Sequence, residues 1–232
     1  MVKYHVSFDL ELRKNPYKGL YIAIEGIDGS GKTTQIKLLR SYFEKKGRAV
    51  VITSEPRKEE NEIGRLIHKI LNSKVHVPSS SMQYLYSAER IINHNTVVIP
   101  ALKKGKVVIT HRCFWSAVAY GVFDKREVRY SNANTKAIMV AQGILSHYYQ
   151  FIAPDITLYL DVAADVAIKR ISGMKKSFEI YEKKKSLERV LLGYRYLTKH
   201  FPKEIIFLHG ERSLQEVAKE VIEILVPIMD NR

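Results

Sequence analysis

Three glycines, a lysine and a threonine at fixed spacing carry the clearest chemistry in this chain. The stretch Gly26-Ile27-Asp28-Gly29-Ser30-Gly31-Lys32-Thr33-Thr34 reads G-x-x-x-x-G-K-T. Glycines at these positions let a loop turn with its N–H groups pointing inward, where they hold anionic oxygens, and a following helix adds the positive end of its dipole. Lys32 is expected to reach the β- and γ-phosphates of a nucleotide, and the Thr33 hydroxyl is the expected Mg²⁺ ligand. The expected ligand of residues 26–34 is therefore ATP or a relative. A glycine-rich turn with a chance lysine would explain the composition but not the setting. An apolar run, Tyr21-Ile22-Ala23-Ile24, leads into the loop, and Ile36, Leu38, Leu39, Tyr42 and Phe43 follow at helical spacing.

A chain of 232 residues with 46% apolar content can bury one good core, and one domain is expected. The formal net charge of +14 suits a phosphate-bearing partner, and charge alone leaves a nucleotide and a nucleic acid both open. Part of the excess is local: residues 169–185 hold seven basic side chains against two acidic ones. A solvated helix face would account for that segment equally well. With Cys113 as the sole cysteine, neither an intrachain disulfide nor a thiolate metal site is expected. No apolar run approaches the roughly 20 residues that span a bilayer, and residues 1–18 lack a signal peptide's apolar centre, so a cytoplasmic protein is expected.

Positioning these groups requires a frame, and the periodicity supplies one. Residues 1–18 read as an N-terminal extension that could include an edge strand, because Val6, Phe8, Leu10 and Leu12 alternate with polar residues until Asn15-Pro16. From there strands at 20–25, 49–54, 106–110, 156–161 and 205–208 are expected. They alternate with helices at 32–46, 62–71, 82–103, from 116 to 151, 164 to about 171, a helix through Tyr196, and 214–229. Short β-branched runs separated by helices predict an α/β fold, with a five-stranded parallel sheet flanked by helices in the three-layer P-loop manner, over residues 19–232.

Six blocks in order resemble the thymidylate kinases of the P-loop nucleoside monophosphate kinase group. After the opening block EGIDGSGKTTQ come Thr53-Ser54-Glu55-Pro56-Arg57, Leu85-Tyr86-Ser87-Ala88-Glu89-Arg90, and the block from His111-Arg112-Cys113 to Ala119-Tyr120. Pro154-Asp155-Ile156-Thr157-Leu158 with Asp161 follows, and then Phe178-Glu179 with Arg189-Val190 and Tyr194. The resemblance implies transfer of the γ-phosphoryl group of ATP, with Mg²⁺, to a deoxynucleoside monophosphate, most readily dTMP to dTDP. It implies that Arg112 contacts the acceptor phosphate and the moving group, and that Arg57 supports the acceptor phosphate. Asp28 is implied at the sugar hydroxyl, Tyr86 stacked on the base, Arg90 on a base carbonyl and Tyr120 against the deoxyribose. Glu55 joins this acceptor set. Lys32, Arg112 and the lid lysines Lys175 and Lys176, in a lid near 170–186, neutralise charge during transfer. A homodimer is implied too, with Tyr84, Ile91 and Ile92 as candidates for its apolar face.

The family's Asp-Arg pair reads His111-Arg112 here, so the carboxylate expected near Mg²⁺ is absent from that position, and Glu55 or Asp161 would have to assist. Alternatives therefore stay open: a low-activity or non-catalytic nucleotide-binding paralogue, or a kinase for another nucleoside or nucleoside monophosphate. Nucleic-acid association is a further reading, which a steep salt dependence of binding would reveal.

Overall fold

The computed structural model describes residues 11–124, 151–173 and 184–230. Five parallel strands form one sheet: β1 (Tyr21–Glu25), β2 (Val50–Ser54), β3 (Val107–His111), β4 (Ile156–Asp161) and β5 (Ile205–His209), in the order β2-β3-β1-β4-β5. Central parallel strands are covered on both faces and so read as unbroken apolar runs. β1 is buried along its whole length, as are four of the five residues of β3. The edges are more open, with Ile52 of β2 and Phe207 of β5 both exposed.

Alternation along β1 sorts its side chains between the two layers. Ile22 and Ile24 pack with Ile36, Leu39 and Phe43 of helix α1 (Lys32–Lys45), and with Val217, Val221 and Leu225 of the C-terminal helix (Leu214–Asp230). Ala23 faces the opposite layer. There Trp115 and Val118 of one helix (Phe114–Asp124) meet Leu187, Val190 and Tyr194 of another (Lys184–His200). Numbered in chain order, the remaining helices are α2 (Glu62–Leu71), α3 (Ser79–Asn93), α4 (Ile99–Lys103) and α6 (Ala164–Ser172). Phe114–Asp124 is then α5, Lys184–His200 is α7 and Leu214–Asp230 is α8.

Most element ends fall within about three residues of the expected ones, and three differences have physical causes. The single helix expected over 82–103 begins at Ser79 and is interrupted by a π-helical turn, His94–Val98. Pro100, in the first turn of α4, has no N–H to donate backwards. In this widened stretch side chains take over backbone work: Asn95 donates to the Ile91 carbonyl at 3.0 Å and Thr96 to that of Ile92 at 2.7 Å. The helix expected to reach residue 151 starts at Phe114, and Phe151 itself lies in an irregular buried segment before β4. Residues 11–18 form no strand. They are docked instead, with Leu12 against the core, Arg13 accepting from the Ala153 N–H at 2.8 Å, and Asn15 donating to Gly19 and Asp155.

The sheet order turns back between β1 and β3. At such a switch point the loops beyond the strand ends diverge and open a crevice. The loop after β1 and the residues after β3 meet there.

Candidate functional site

Loop 26–31 runs from β1 into α1 on backbone conformations that favour glycine. Gly29 has φ +82°, and a side chain on it would stand 2.4 Å from the Ala167 carbonyl of α6. Gly31, at φ +99°, is the residue from which α1 starts. The Lys32 ammonium folds back over the loop it belongs to, donating to the carbonyls of Gly26 at 2.9 Å and Ile27 at 2.7 Å, with Asp28 Oδ1 at 3.6 Å. Burial and the neighbouring Arg112 bring its pKa down to about 7, against the opposing pull of Asp28 and Glu25. Thr33 is exposed on the first turn of α1, open to a ligand. Arg170 of α6 lies over the same loop and reaches the Gly29 and Gly210 carbonyls, each at 3.4 Å. The basic segment at 169–185 is expected from the sequence to belong to a lid near 170–186, and Arg170, at its start, reaches the loop.

Facing the loop, Arg112 occupies the turn between β3 and α5 in the left-handed region, at φ +73°. For a non-glycine residue that conformation costs on the order of 1 to 3 kcal/mol and persists only where its surroundings enforce it. Here they do. Its N–H donates to the Ile24 carbonyl at 3.0 Å, and its own carbonyl accepts from Thr110 Oγ1 at 2.7 Å. The guanidinium donates through Nη2 to Asp28 Oδ1 at 2.7 Å and through Nη1 to Ser116 Oγ and the Tyr194 hydroxyl, and it lies 5.1 Å from the centre of the Tyr120 ring. Although burial favours its neutral form, Arg112 and Lys32 hold the Asp28 carboxyl far below the usual carboxylate range. Asp28 thus ties the two cations of the site together.

Beside them opens a cavity of about 370 Å³. Its wall includes Asp28, His111 and Arg112 from the sheet end, Tyr86 and Arg90 from α3, and Tyr120 from α5. Arg90 is buried and paired through Nε with Glu55 Oε2. Desolvation is the largest influence and works against the Glu55 carboxylate, but Arg90 and His94 together outweigh it and lower the pKa. The π-helical turn sets His94 behind this pair, its Nε2 3.6 Å from Glu55 Oε1 and its ring 4.8 Å from that of Phe151. Helix α3 is fixed to β2 at the same level, with Thr53 donating to Asn93 at 2.8 Å and Asn93 to the Ser54 carbonyl at 3.4 Å.

The site residues expected from sequence fall into three groups. Residues 26–34, Glu55, Tyr86, Arg90, Arg112 and Tyr120 are gathered around the loop and cavity. Arg57 is placed elsewhere: its buried guanidinium donates to Glu89 at 3.2 Å, Glu60 at 3.2 Å and Thr96 at 3.4 Å, so carboxylates from α3 and its own loop draw it off the cavity wall. Lys175 and Lys176 lie outside the described residues. The substitutes considered for the carboxylate absent at His111 are each paired with an arginine. Glu55 serves Arg90, while Asp161 accepts from Tyr159 at 2.6 Å and from Arg195 at 3.1 Å. Sequence reading also missed Glu25, whose four hydrogen bonds are taken up below. Its signal was a carboxylate ending an otherwise apolar central strand, where such a group is rare unless bonded.

His111 closes the cavity beside the phosphate loop as a neutral imidazole. Burial, Lys32 and Arg112 all lower its pKa well below the ordinary value, outweighing Asp28. The linked stability has a definite sign. Below pH about 6.5 the unfolded chain takes up a proton on this residue that the folded chain refuses, so stability is fully present above that pH and falls as the solution is acidified. His111→Gln should flatten this part of the profile. Urea titrations of both proteins between pH 5 and 7.5 would check it, and parallel profiles would contradict the neutral imidazole.

A group of three or more His, Cys, Asp or Glu side chains able to cage a metal ion is not found among the described residues. Thr33 presents an open hydroxyl at the loop, an oxygen donor of the hard type that Mg²⁺ takes. No helix among the described residues is long and apolar enough to cross a membrane.

Comparison with known proteins gives a consistent result. The family model for thymidylate kinase matches residues 24–221. A probable thymidylate kinase of Pyrococcus horikoshii is 31% identical over 219 residues, which cover 90% of this chain and 96% of the relative. A thymidylate kinase of a Thermoanaerobacter species is 30% identical, over 90% of this chain and 98% of its own. That of Kosmotoga olearia is 32% identical, over 88% of this chain and 94% of its own.

Proposed function

Since the chain belongs to the thymidylate kinase family, we propose that its loop and cavity hold the two substrates of that reaction, ATP on residues 26–34 and dTMP in the cavity beside them. The transfer is dTMP + ATP to dTDP + ADP. The observation that supports these roles is the bridge Lys32–Asp28–Arg112, which joins the phosphate loop to the cavity wall with one carboxylate between two cations. Two anionic reactants meeting at this point would find both positive charges already aimed at it.

Lys32 would exchange its loop carbonyls for β- and γ-phosphate oxygens, and Arg112 would bind the acceptor phosphate and follow the moving group. Asp28, released from one cation or both, would take the sugar hydroxyl. Mg²⁺ would be held by Thr33 and the phosphates, and when bound it supplies charge neutralisation at the phosphate oxygens. No covalent intermediate on the protein is required; catalysis is positioning and electrostatics. Lys175 and Lys176 remain the proposed lid cations. A homodimer is proposed through α3, where Tyr84 is 66% exposed and Ile91 and Ile92 are half-buried, and sedimentation would read it directly.

A coupled assay for ADP over a panel of nucleosides and nucleoside monophosphates tests the assignment, with dTMP expected to give the highest kcat/KM. A preference for an acceptor without a pyrimidine base would overturn it. The base position has its own test. Stacking of a base on an aromatic ring is worth roughly 1 to 3 kcal/mol, so Tyr86→Ala should raise the KM for dTMP about 10- to 100-fold and leave that for ATP near its original value. Equal changes in both would remove Tyr86 from the base.

A further inference from the structure

Arg112 is held from two sides, and only one of them must let go when substrates arrive. On the solvent side Nη2 rests on Asp28, a partly exposed loop residue at 31%. On the core side Nη1 donates to the Tyr194 hydroxyl at 3.1 Å and to Ser116 Oγ at 3.2 Å. Behind those hydroxyls stands Glu25, fully buried at the end of β1. Its Oε2 accepts from Tyr194 at 2.7 Å and from Ser116 Oγ at 2.6 Å. Its Oε1 accepts the N–H groups of Cys113 at 2.8 Å and Ser116 at 3.1 Å, at the start of α5.

The direction of these bonds matters. A carboxylate only accepts, so both hydroxyls can donate to Glu25 and turn lone pairs toward the guanidinium, which only donates; the two hydroxyls also stand 2.8 Å apart, closing the cluster. Buried negative charge is thereby relayed to Arg112 through two neutral groups, and the carboxylate itself never competes for the face that meets phosphate. Burial, and then the Glu25 charge, push the Tyr194 phenol well above its ordinary pKa, so its proton stays in place. The ring is fixed as well: it stacks on Tyr159 at 4.7 Å and 18°.

We propose that Tyr194, backed by Glu25, is a positioning residue for phosphoryl transfer: it anchors Nη1 of Arg112 throughout the cycle and leaves Nη2 to exchange Asp28 for a phosphate oxygen. This assignment rests on the dTMP kinase reading above, and it adds to it a residue on α7 that lies outside the cavity wall. The relay acts on how Arg112 is aimed when charge shifts between the phosphates, rather than on how tightly either substrate is held. Its signature therefore belongs in kcat.

The test is Tyr194→Phe, which keeps the ring on Tyr159 and removes one oxygen. Expected is a fall in kcat of about tenfold with dTMP and ATP KM values within twofold of wild type, and a thermal midpoint too little changed to account for it. The same substitution in an Arg112→Lys background should cost twofold or less, because the lysine lacks the second nitrogen that Tyr194 holds. A Tyr194→Phe enzyme with unchanged kcat, or one whose loss is undiminished in the Arg112→Lys background, would overturn the positioning role and leave the kinase reading standing. A well-folded wild-type protein that transfers no phosphoryl group to any nucleotide acceptor would overturn both.

Discussion

Lys32→Ala is expected to reduce turnover by a factor of a hundred or more, equivalent to about 3 kcal/mol of transition-state stabilisation. The ammonium is the sole cation supplied by the phosphate loop itself, and it is already buried within reach of Asp28 and Arg112 before any nucleotide binds. In the proposed mechanism its removal would leave the developing charge on the β- and γ-oxygens to Arg112 and Mg²⁺. The fold should tolerate the change, because the bonds lost are those to the Gly26 and Ile27 carbonyls and the long pairing with Asp28, which keeps Arg112 as its partner. Steady-state kinetics alongside a melting curve would decide the matter. Near-normal turnover in a folded variant would require ATP to bind elsewhere.

Arg112→Gly should separate activity from stability still more sharply. Glycine adopts φ +73° without the steric cost that arginine carries there, so the backbone is relieved while the guanidinium is lost. The loss of a charge proposed to touch both reactants should lower kcat/KM by about a thousandfold. Stability should change far less than the deletion of a buried cation ordinarily implies, since Asp28 can turn to water and the two hydroxyls remain bonded to Glu25. Chemical denaturation would measure the second half of this expectation. A variant that is folded and active would remove Arg112 from the reaction, and an unfolded one would show that its ion pairs hold the crevice together.

Much of this architecture was legible in the residue pattern. The five strands were readable because parallel strands covered on both faces leave continuous β-branched runs, and the phosphate loop because its glycines answer to backbone geometry alone. What stayed hidden depends on which distant side chains meet. Tyr194 lies on an apolar helix stripe and Glu25 at a strand end, and no periodicity connects residue 25 to residue 194. Arg57 shows the converse. The family resemblance implied the acceptor phosphate for it, yet Glu89 and Glu60 hold its guanidinium. The π-helical turn was equally invisible, since Pro100 announces a break in hydrogen bonding but not whether the helix bends, stops or widens around it.

The place of β1 in the sheet also bears on how the chain reaches its native state. Its two neighbours lie far away along the polypeptide: Tyr21 is paired with Val108 of β3, and Ile22 with Ile109 of β3 and Ile156 of β4. During synthesis from the N-terminus, this fully buried strand emerges ahead of both neighbours and must wait for β3, at Val107–His111, to pair one edge and for β4, at Ile156–Asp161, to pair the other. Non-local pairing of this kind slows folding and leaves sticky intermediates exposed. The strand that aims the phosphate loop is thus among the last to be secured, and a nascent chain arrested before β3 would carry every residue of the nucleotide loop with no sheet to hold it in shape.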